Sequence, residues 1–359
     1  MKINVDCRFF RGDIPCAPHK RKGVHCEGCP QYDAVDKRIL IIKLGAIGDV
    51  IRTTPLLRKL KQVYPKSEIS WLTLSPEVVP SLVDRVLRFE LKSVVSLLSD
   101  EFDILYNLDK DKEAIAMAKM ISAREKAGFG AHEITGKCSP FNDHAYHKWL
   151  TGLFDDVNRA NTKSYPQEIF EMCGFQFNGE EYILEVPDRN WQINEPQPLI
   201  GLNTGCGSRW PTRLWKKDNW IKLSKALKQK GYGVILLGGP DEDSLNKGVA
   251  RESGASYLGF FTIPDFISLM NECDMIVTGV TMALHIAIGL KKKLLLFNNI
   301  FNRNEFELYG LGDFLEPDKD CKGCFKSECN EKCMDLIKPD QVLKNIESIV
   351  NGRVAGLAR

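Results

Sequence analysis

The first strongly apolar run is Ile39-Leu40-Ile41-Ile42, short and without polar interruption, the kind of strand that is buried on both faces of a parallel sheet. Similar runs stand at 69–74 and 103–108. Between them Pro55–Val63 reads as a helix, with Thr54 as its cap and Pro55 at its first position. A polar stretch holding Pro187, Pro196 and Pro198 interrupts the pattern, and the alternation then restarts. Strands are expected at Leu199–Asn203, Gly233–Leu237, 275–278 and 294–297. Between the first two of these, Trp220, Leu223 and Leu227 mark the apolar face of a helix, with Asp218 as N-cap and Gly231 as its stop. Pro339–Val350 reads as one more amphipathic helix. Strands alternating with helices in two successive runs predict an α/β protein with two Rossmann-like halves in tandem. The expected division is a cysteine-rich segment at 1–36, a Rossmann-like domain at 37–190 and a second at 191–359.

Composition changes this picture little. At about 150 residues per domain, 359 residues fit two domains. The 49 Lys and Arg against 47 Asp and Glu leave a net charge of +2, which removes the bulk electrostatic argument for a nucleic-acid partner. No apolar run approaches the ~20 residues that cross a bilayer, and the start MKINVDCRFFRGD lacks the apolar core of a secretory signal. A cytoplasmic protein is expected, with at most peripheral contact at the inner face of the membrane. The oligomeric state is not legible.

Cysteine changes it more. Of twelve cysteines, Cys138, Cys173, Cys206 and Cys273 stand singly and are expected as small buried hydrophobes. The other eight form two groups. Cys7, Cys16, Cys26 and Cys29 are spaced C-x8-C-x9-C-x2-C, and Cys321, Cys324, Cys329 and Cys333 are spaced C-x2-C-x4-C-x3-C. In a reducing compartment such groups point to metal before disulfides. Four thiolates satisfy tetrahedral zinc and also hold iron or an iron–sulfur cluster. The C-terminal group is the tighter one; in the N-terminal group His19 or His25 would replace a thiolate. A four-ligand site with no open position is structural rather than catalytic. The other readings are redox-sensitive surface thiols, or a single site shared by both groups.

In open parallel sheets ligands sit beyond the carboxyl ends of the strands. The first such segment, Lys43-Leu44-Gly45-Ala46-Ile47-Gly48-Asp49-Val50, is neither a dinucleotide fingerprint nor a P-loop. Its glycines suggest a tight turn with close ligand approach, and Asp49 either caps the next helix or offers a carboxylate. Lys43 and Arg52 are candidate phosphate or acceptor contacts. The second segment runs from Asn203 and Thr204 through Arg209-Trp210-Pro211-Thr212-Arg213, where guanidinium groups among aromatics suit an anionic ligand. In the third, Gly238-Gly239-Pro240-Asp241-Glu242, a carboxylate would accept ribose hydroxyls. The fourth, Thr278 to His285, turns into a helix whose free amides face a diphosphate.

The order of these segments resembles glycosyltransferase family 9, the lipopolysaccharide heptosyltransferase family. The match is carried by 39–50 with Thr54-Pro55-Leu56-Leu57, by Trp210-Pro211-Thr212-Arg213-Leu214-Trp215 with Trp220, and by Met282-Ala283-Leu284-His285-Ile286-Ala287, within residues 38–350. The resemblance implies a GT-B fold, two Rossmann-like domains facing across a cleft, with the acceptor on the first and a nucleotide sugar on the second. It implies Asp49 as general base, Arg213 on the donor phosphates, Glu242 on the ribose, and Thr281, Met282 and His285 at the diphosphate turn; Thr204 and Arg209 of the second segment are further candidate donor contacts. Where the family commonly has an acid followed by Ser/Thr-Gly, this chain has Val280-Thr281-Met282. The cysteine groups look like those of members carrying a metal finger, some of which glycosylate proteins.

The expected activity is inverting transfer of a sugar, heptose from ADP-heptose, to a lipopolysaccharide-core or other cell-surface glycan, without a catalytic metal. Alternatives are another nucleotide sugar or a lipid-linked or protein acceptor and, from a different class, a non-catalytic nucleotide-binding or metal- and redox-sensing protein.

Overall fold

The protein is described by a computed structural model that covers residues 1–207 and 209–352. Contacts within the chain group it into two compact units. The first comprises Met1–Gly45, Leu56–Tyr146 and Phe170–Phe175; the second comprises Ala46–Pro55, His147–Ile169 and the chain from Gln176 onward.

In the first unit the run Ile39-Leu40-Ile41-Ile42 is fully buried within strand β1 (Lys37–Ile42). The other strands are β2 (Ser67–Thr73), β3 (Arg85–Arg88), β4 (Glu101–Asn107), β5 (Ser122–Ala131) and β6 (Cys138–Pro140), in the order β3-β2-β1-β4-β5-β6. All pairings are parallel except β5 with β6. Helices Leu91–Ser99 and Lys112–Met120 bury Leu97, Ala114 and Met117 against Leu40, Ile42 and Leu105. Burial on both faces explains why β1 carries no polar residue in its centre.

The second unit has five parallel strands, β7 (Leu199–Asn203), β8 (Gly233–Leu237), β9 (Met275–Gly279), β10 (Lys293–Phe297) and β11 (Gly312–Leu315), in the order β11-β10-β9-β7-β8. Helix Lys217–Gln229 buries Trp220, Leu223 and Leu227 as expected. Its N-cap is Lys216, so Asp218 sits inside the first turn, where it complements the helix dipole instead of capping it. Gly231 has φ +86°, the left-handed conformation that ends the helix. Trp215 and Trp220 meet edge to face with centroids 4.8 Å apart, and the Trp215 indole N–H donates to the Ile337 carbonyl at 2.9 Å. Helix Pro339–Val350 closes this core with Val342, Ile346 and Ile349.

The expected domain boundary near 190 differs from the compact units. Helix Ile47–Ile51 packs on helix Met282–Gly289 at Gly48, where an added Cβ would stand 2.6 Å from the His285 ring. The stretch 147–169 is held by Asn302, whose amide donates to the Asn158 and Asn161 carbonyls at 2.6 and 2.8 Å. The proline-bearing stretch has neither helix nor strand and runs along the second unit: Ile183 N–H donates to Thr54 Oγ1 at 2.9 Å, and Trp191 Nε1 donates to Ser268 Oγ at 3.1 Å. Helix Pro55–Val63 has the expected bounds. The Thr54 hydroxyl, however, donates to the Ile51 carbonyl and is taken up by Ile183.

The polar stretch 128–147 contains the β5–β6 hairpin, with Phe129 opposite Pro140. Cys173, Cys206 and Cys273 are buried as expected, while Cys138 on β6 is only half-buried. Among the described residues, no helix is long and apolar enough to cross a membrane.

Candidate functional site

The carboxyl ends of β7, β8 and β9 open onto two adjoining cavities of the second unit. The smaller, of about 320 Å³, is lined by Gly205, Cys206, Gly239, Glu242 and Phe261 among others. The larger, of about 470 Å³, holds Asp49, Arg52, Arg209, Arg213, His285 and Glu305. Thr281 and Met282 line both. They begin helix Met282–Gly289, whose N-cap Thr281 accepts the Ala283 N–H through Oγ1 at 3.2 Å. The Asn203 amide donates to Thr278 Oγ1 at 3.1 Å and ties the ends of β7 and β9 together.

Asp49 lies in the first turn of helix Ile47–Ile51, whose N-cap is Ala46, so it is not the helix cap. Its carboxylate stands 2.8 Å from the Arg52 guanidinium and its side chain keeps 33% exposure, enough to meet a ligand in the cavity. Arg52 in turn lies 3.5 Å over the Tyr165 ring. Burial opposes its charge, but Asp49, Tyr165 and Glu305 outweigh that and hold the guanidinium above its usual range. Gly48 leaves no room for an acceptor, because His285 fills the space beside it; its small size permits the helix crossing. Gly45 likewise packs against protein, with an added Cβ 2.8 Å from Lys43 Nζ.

Arg213 spans the crevice between β7 and β9. Its guanidinium donates to the carbonyls of Val280, Cys206 and Trp210 and lies over the Phe301 ring. These partners carry no full negative charge, and burial lowers its pKa. A guanidinium has five N–H groups, so this one has donors to spare and a charge still to be matched. Arg209 is exposed over Trp210 at the same cavity. His285 is buried against Tyr182, with Tyr182 Oη 3.4 Å from Nδ1. Burial, helped by Arg52 and opposed by Asp49, pushes it down to about 3, which keeps the imidazole neutral.

Glu242 folds over Gly205, where an added Cβ would overlap its carboxylate, and accepts the Gly239 N–H at 2.9 Å. Glu242 lines the smaller cavity. Two expected contacts are placed elsewhere. Thr204 is buried and donates to Asn246 Oδ1 at 2.7 Å, lining neither cavity. Lys43 is buried in the first unit, 3.3 Å from Asp109 Oδ1, while Asp109 Oδ2 accepts the Gly45 N–H at 2.6 Å.

The cysteine groups each gather in one place. Cys7, Cys16, Cys26 and Cys29 line a cavity with His19 and His25; Cys321, Cys324, Cys329 and Cys333 line another with Asn299. The first of these cavities is lined by residues of the first unit and the second by residues of the second. Among the described residues, no three Cys, His, Asp or Glu side chains are already drawn onto a common point as metal ligands.

Sequence reasoning missed Glu305, whose Oε1 accepts the Asn158 amide at 2.9 Å, together with Tyr165 and Asp109. Glu305 follows β10, so the rule applied to the other four strand ends would have reached it. Tyr165 comes from a distant helix and leaves no local signal.

A family model described as Glycosyltransferase family 9 (heptosyltransferase) matches residues 91–334. Lipopolysaccharide heptosyltransferase 3 of Escherichia coli is 21% identical over 348 residues, covering 86% of this chain and 98% of that protein. Among solved structures, a glycosyl transferase family 9 protein from Veillonella parvula has a TM-score of 0.67 at 19% identity, covering 89% of this chain and 99% of that one. The E. coli ADP-heptose lps heptosyltransferase II has a TM-score of 0.65 at 16% identity, covering 88% and 99%. These likenesses show a GT-B fold.

Proposed function

The chain belongs to glycosyltransferase family 9 and is a glycosyltransferase, and from that premise we propose that it transfers heptose from ADP-heptose, with inversion, to a lipopolysaccharide-core or other cell-surface glycan. The observation that carries this reading is the pair of cavities joined at Thr281 and Met282, with a carboxylate at the far side of the larger one. The nucleoside occupies the smaller cavity, where Glu242 accepts ribose hydroxyls. The diphosphate lies at the start of helix Met282–Gly289, facing its amides and Arg213. The sugar then falls in the larger cavity beside Asp49.

Inversion needs one in-line displacement. The acceptor oxygen bonds to the anomeric carbon as the bond from that carbon to the diphosphate breaks. The acceptor proton passes to Asp49, which Arg52 orients, and ADP leaves with the bonding pair. Arg213, Arg209 and the helix start neutralise the charge that develops on the leaving group, so the reading calls for no catalytic metal. The choice of heptose and of a lipopolysaccharide acceptor is supported by the relatives, which are lipopolysaccharide heptosyltransferases.

A structural metal at Cys321, Cys324, Cys329 and Cys333 belongs to the same reading. Two contacts support it: Asn299 Nδ2–H points at Cys333 Sγ at 3.2 Å and Glu331 N–H at Cys329 Sγ at 3.4 Å, the kind of donor that metal-bound thiolates take. Asn299 also donates to the Thr212 carbonyl at 3.0 Å, and Thr212 Oγ1 donates to the Lys326 carbonyl at 3.0 Å. Zinc or iron there would brace the loop that carries Arg213.

The test is nucleotide release against a panel of ADP-, GDP- and UDP-sugars, with the product anomer assigned by NMR. Release from ADP-heptose with inverted configuration is expected. Preference for a uridine or guanosine donor, or retention at the anomeric carbon, overturns the corresponding part.

A further inference from the structure

We propose that Cys7, Cys16, Cys26 and Cys29 bind a zinc-class divalent cation as four thiolates, and that this ion serves as the core of the 1–36 segment. The segment has almost nothing else to hold it together. No hydrophobic side chain among its first 36 residues is buried apart from Pro18, and its cysteines are free. Its regular structure is one six-residue helix, Ala17–Lys22, and an isolated bridge between Cys7 and Ala34. Chains below about 40 residues seldom fold without disulfides, metal or association.

Yet the backbone of this segment takes a defined shape around the cysteines. Cys26-Glu27-Gly28-Cys29 is a tight turn, closed by the Cys29 N–H on the Cys26 carbonyl at 3.3 Å with Gly28 at φ +71°. Cys7 opens a second turn through the Phe10 N–H at 2.8 Å, and the Asn4 amide links the two by donating to the Cys26 carbonyl at 3.2 Å. Cys16 precedes the helix. All four line one cavity. The two turns and the helix start thus bring the four cysteines to one cavity, although their sulfurs do not meet at a common point there.

His19 lines the same cavity, and its Nδ1 lies 2.9 Å from the Val24 carbonyl, which can only accept, so Nδ1 carries a proton. His25 meets it edge to face at 5.3 Å. Arg8 then ties the segment to the first sheet by ion pairs to Asp33 and Asp84 at 2.8 and 2.6 Å and a bond to the Ser67 carbonyl at 3.1 Å. Losing the ion would undo the segment and leave both parallel sheets folded.

The full chain, stripped with chelator and titrated with Co²⁺, tests this. Four thiolates give intense tetrahedral d–d bands with sulfur-to-cobalt charge transfer, and Zn²⁺ then displaces the cobalt. Cys26→Ser/Cys29→Ser should lose about one equivalent of cobalt per chain, and this loss should persist in a Cys321→Ser/Cys324→Ser background. Cobalt uptake unchanged by the Cys26→Ser/Cys29→Ser pair in that background overturns the proposal. Because the variant is liable to unfold locally, alkylation of the unmutated protein provides a second readout. The four N-terminal cysteines should resist iodoacetamide when Zn²⁺ is bound and react after chelation. Equal reactivity in both states, or disulfide-linked peptides from the native chain, also overturns it. These readouts do not involve sugar transfer, so they stand apart from the fate of the glycosyltransferase mechanism.

Discussion

The switch points of the two sheets are built alike and charged differently. In the first sheet the crevice between β1 and β4 holds Lys43 and Asp109, which neutralise each other while the spare carboxylate oxygen takes the Gly45 amide. In the second the crevice between β7 and β9 is crossed by Arg213, whose hydrogen bonds among the described residues go to carbonyls and whose guanidinium lies over the Phe301 ring. Doubly wound sheets bind ligands at such points, but only the second leaves a positive charge to be matched by a ligand. The same position in the topology is thus an internal brace in one unit and, on the proposed function, an anion site in the other.

The largest effect should come from Asp49, the carboxylate across the cavity from that anion site. Asp49→Asn keeps the shape and an acceptor for Arg52 but cannot take a proton. Turnover should fall by about 10²- to 10⁴-fold, with melting temperature and ADP affinity close to parental. If the rate is retained while Glu305→Gln abolishes it, the base is Glu305 and the site has been read from the wrong carboxylate.

Next comes the internal brace. Lys43→Met leaves Asp109 buried beside two amides without its cation, and losing one partner of such a pair costs roughly 3–5 kcal/mol of stability. Chemical denaturation measures this, and adding Asp109→Leu should recover much of it. A Lys43→Met protein of parental stability with impaired turnover would instead make Lys43 a ligand contact and erase the contrast between the sheets.

Arg213→Ala should weaken ADP binding by about 10- to 150-fold, the worth of a charge-assisted hydrogen bond at roughly 1.5–3 kcal/mol. Calorimetric titration giving parental affinity would show that the guanidinium only staples the β7 and β9 loops together.

The smallest effect concerns His285. Its folded pKa of about 3 lies below the ordinary 6.5, so between these values the unfolded chain holds a proton that the folded protein refuses. This contribution to stability is complete above about pH 6.5 and is lost progressively as pH falls toward 3. Replacing His285 with Gln should flatten that part of the stability–pH curve, whatever the change in absolute melting temperature. An unchanged slope would mean that the imidazole is protonated in the folded state.

What was legible in the sequence follows from where burial is symmetrical. Strands β1, β7 and β8 lie between two packed faces and read as unbroken apolar runs. Strands β3 and β5 carry the charged residues Arg85, Arg88, Arg124, Glu125 and Lys126, so their alternation was hidden, and the three-residue β6 was too short to register. The same holds at the site. Asp49, Arg213, Thr281 and Met282 were found because they follow strands, whereas Tyr165 reaches Arg52 from far along the chain. Gly48 was noticed but assigned to ligand approach. Only the helix crossing at His285 shows what its missing side chain makes room for.

Hydrogen exchange with and without ADP tests the contrast between the two sheets most directly. The account predicts protection at amides 205–207, 239, 241–242 and 281–284 at the end of the second sheet, with 43–45 and 107–110 at the end of the first unchanged. Protection at 107–110 with none at 281–284 would contradict it, because the nucleotide would then sit at the switch point whose charges are already paired.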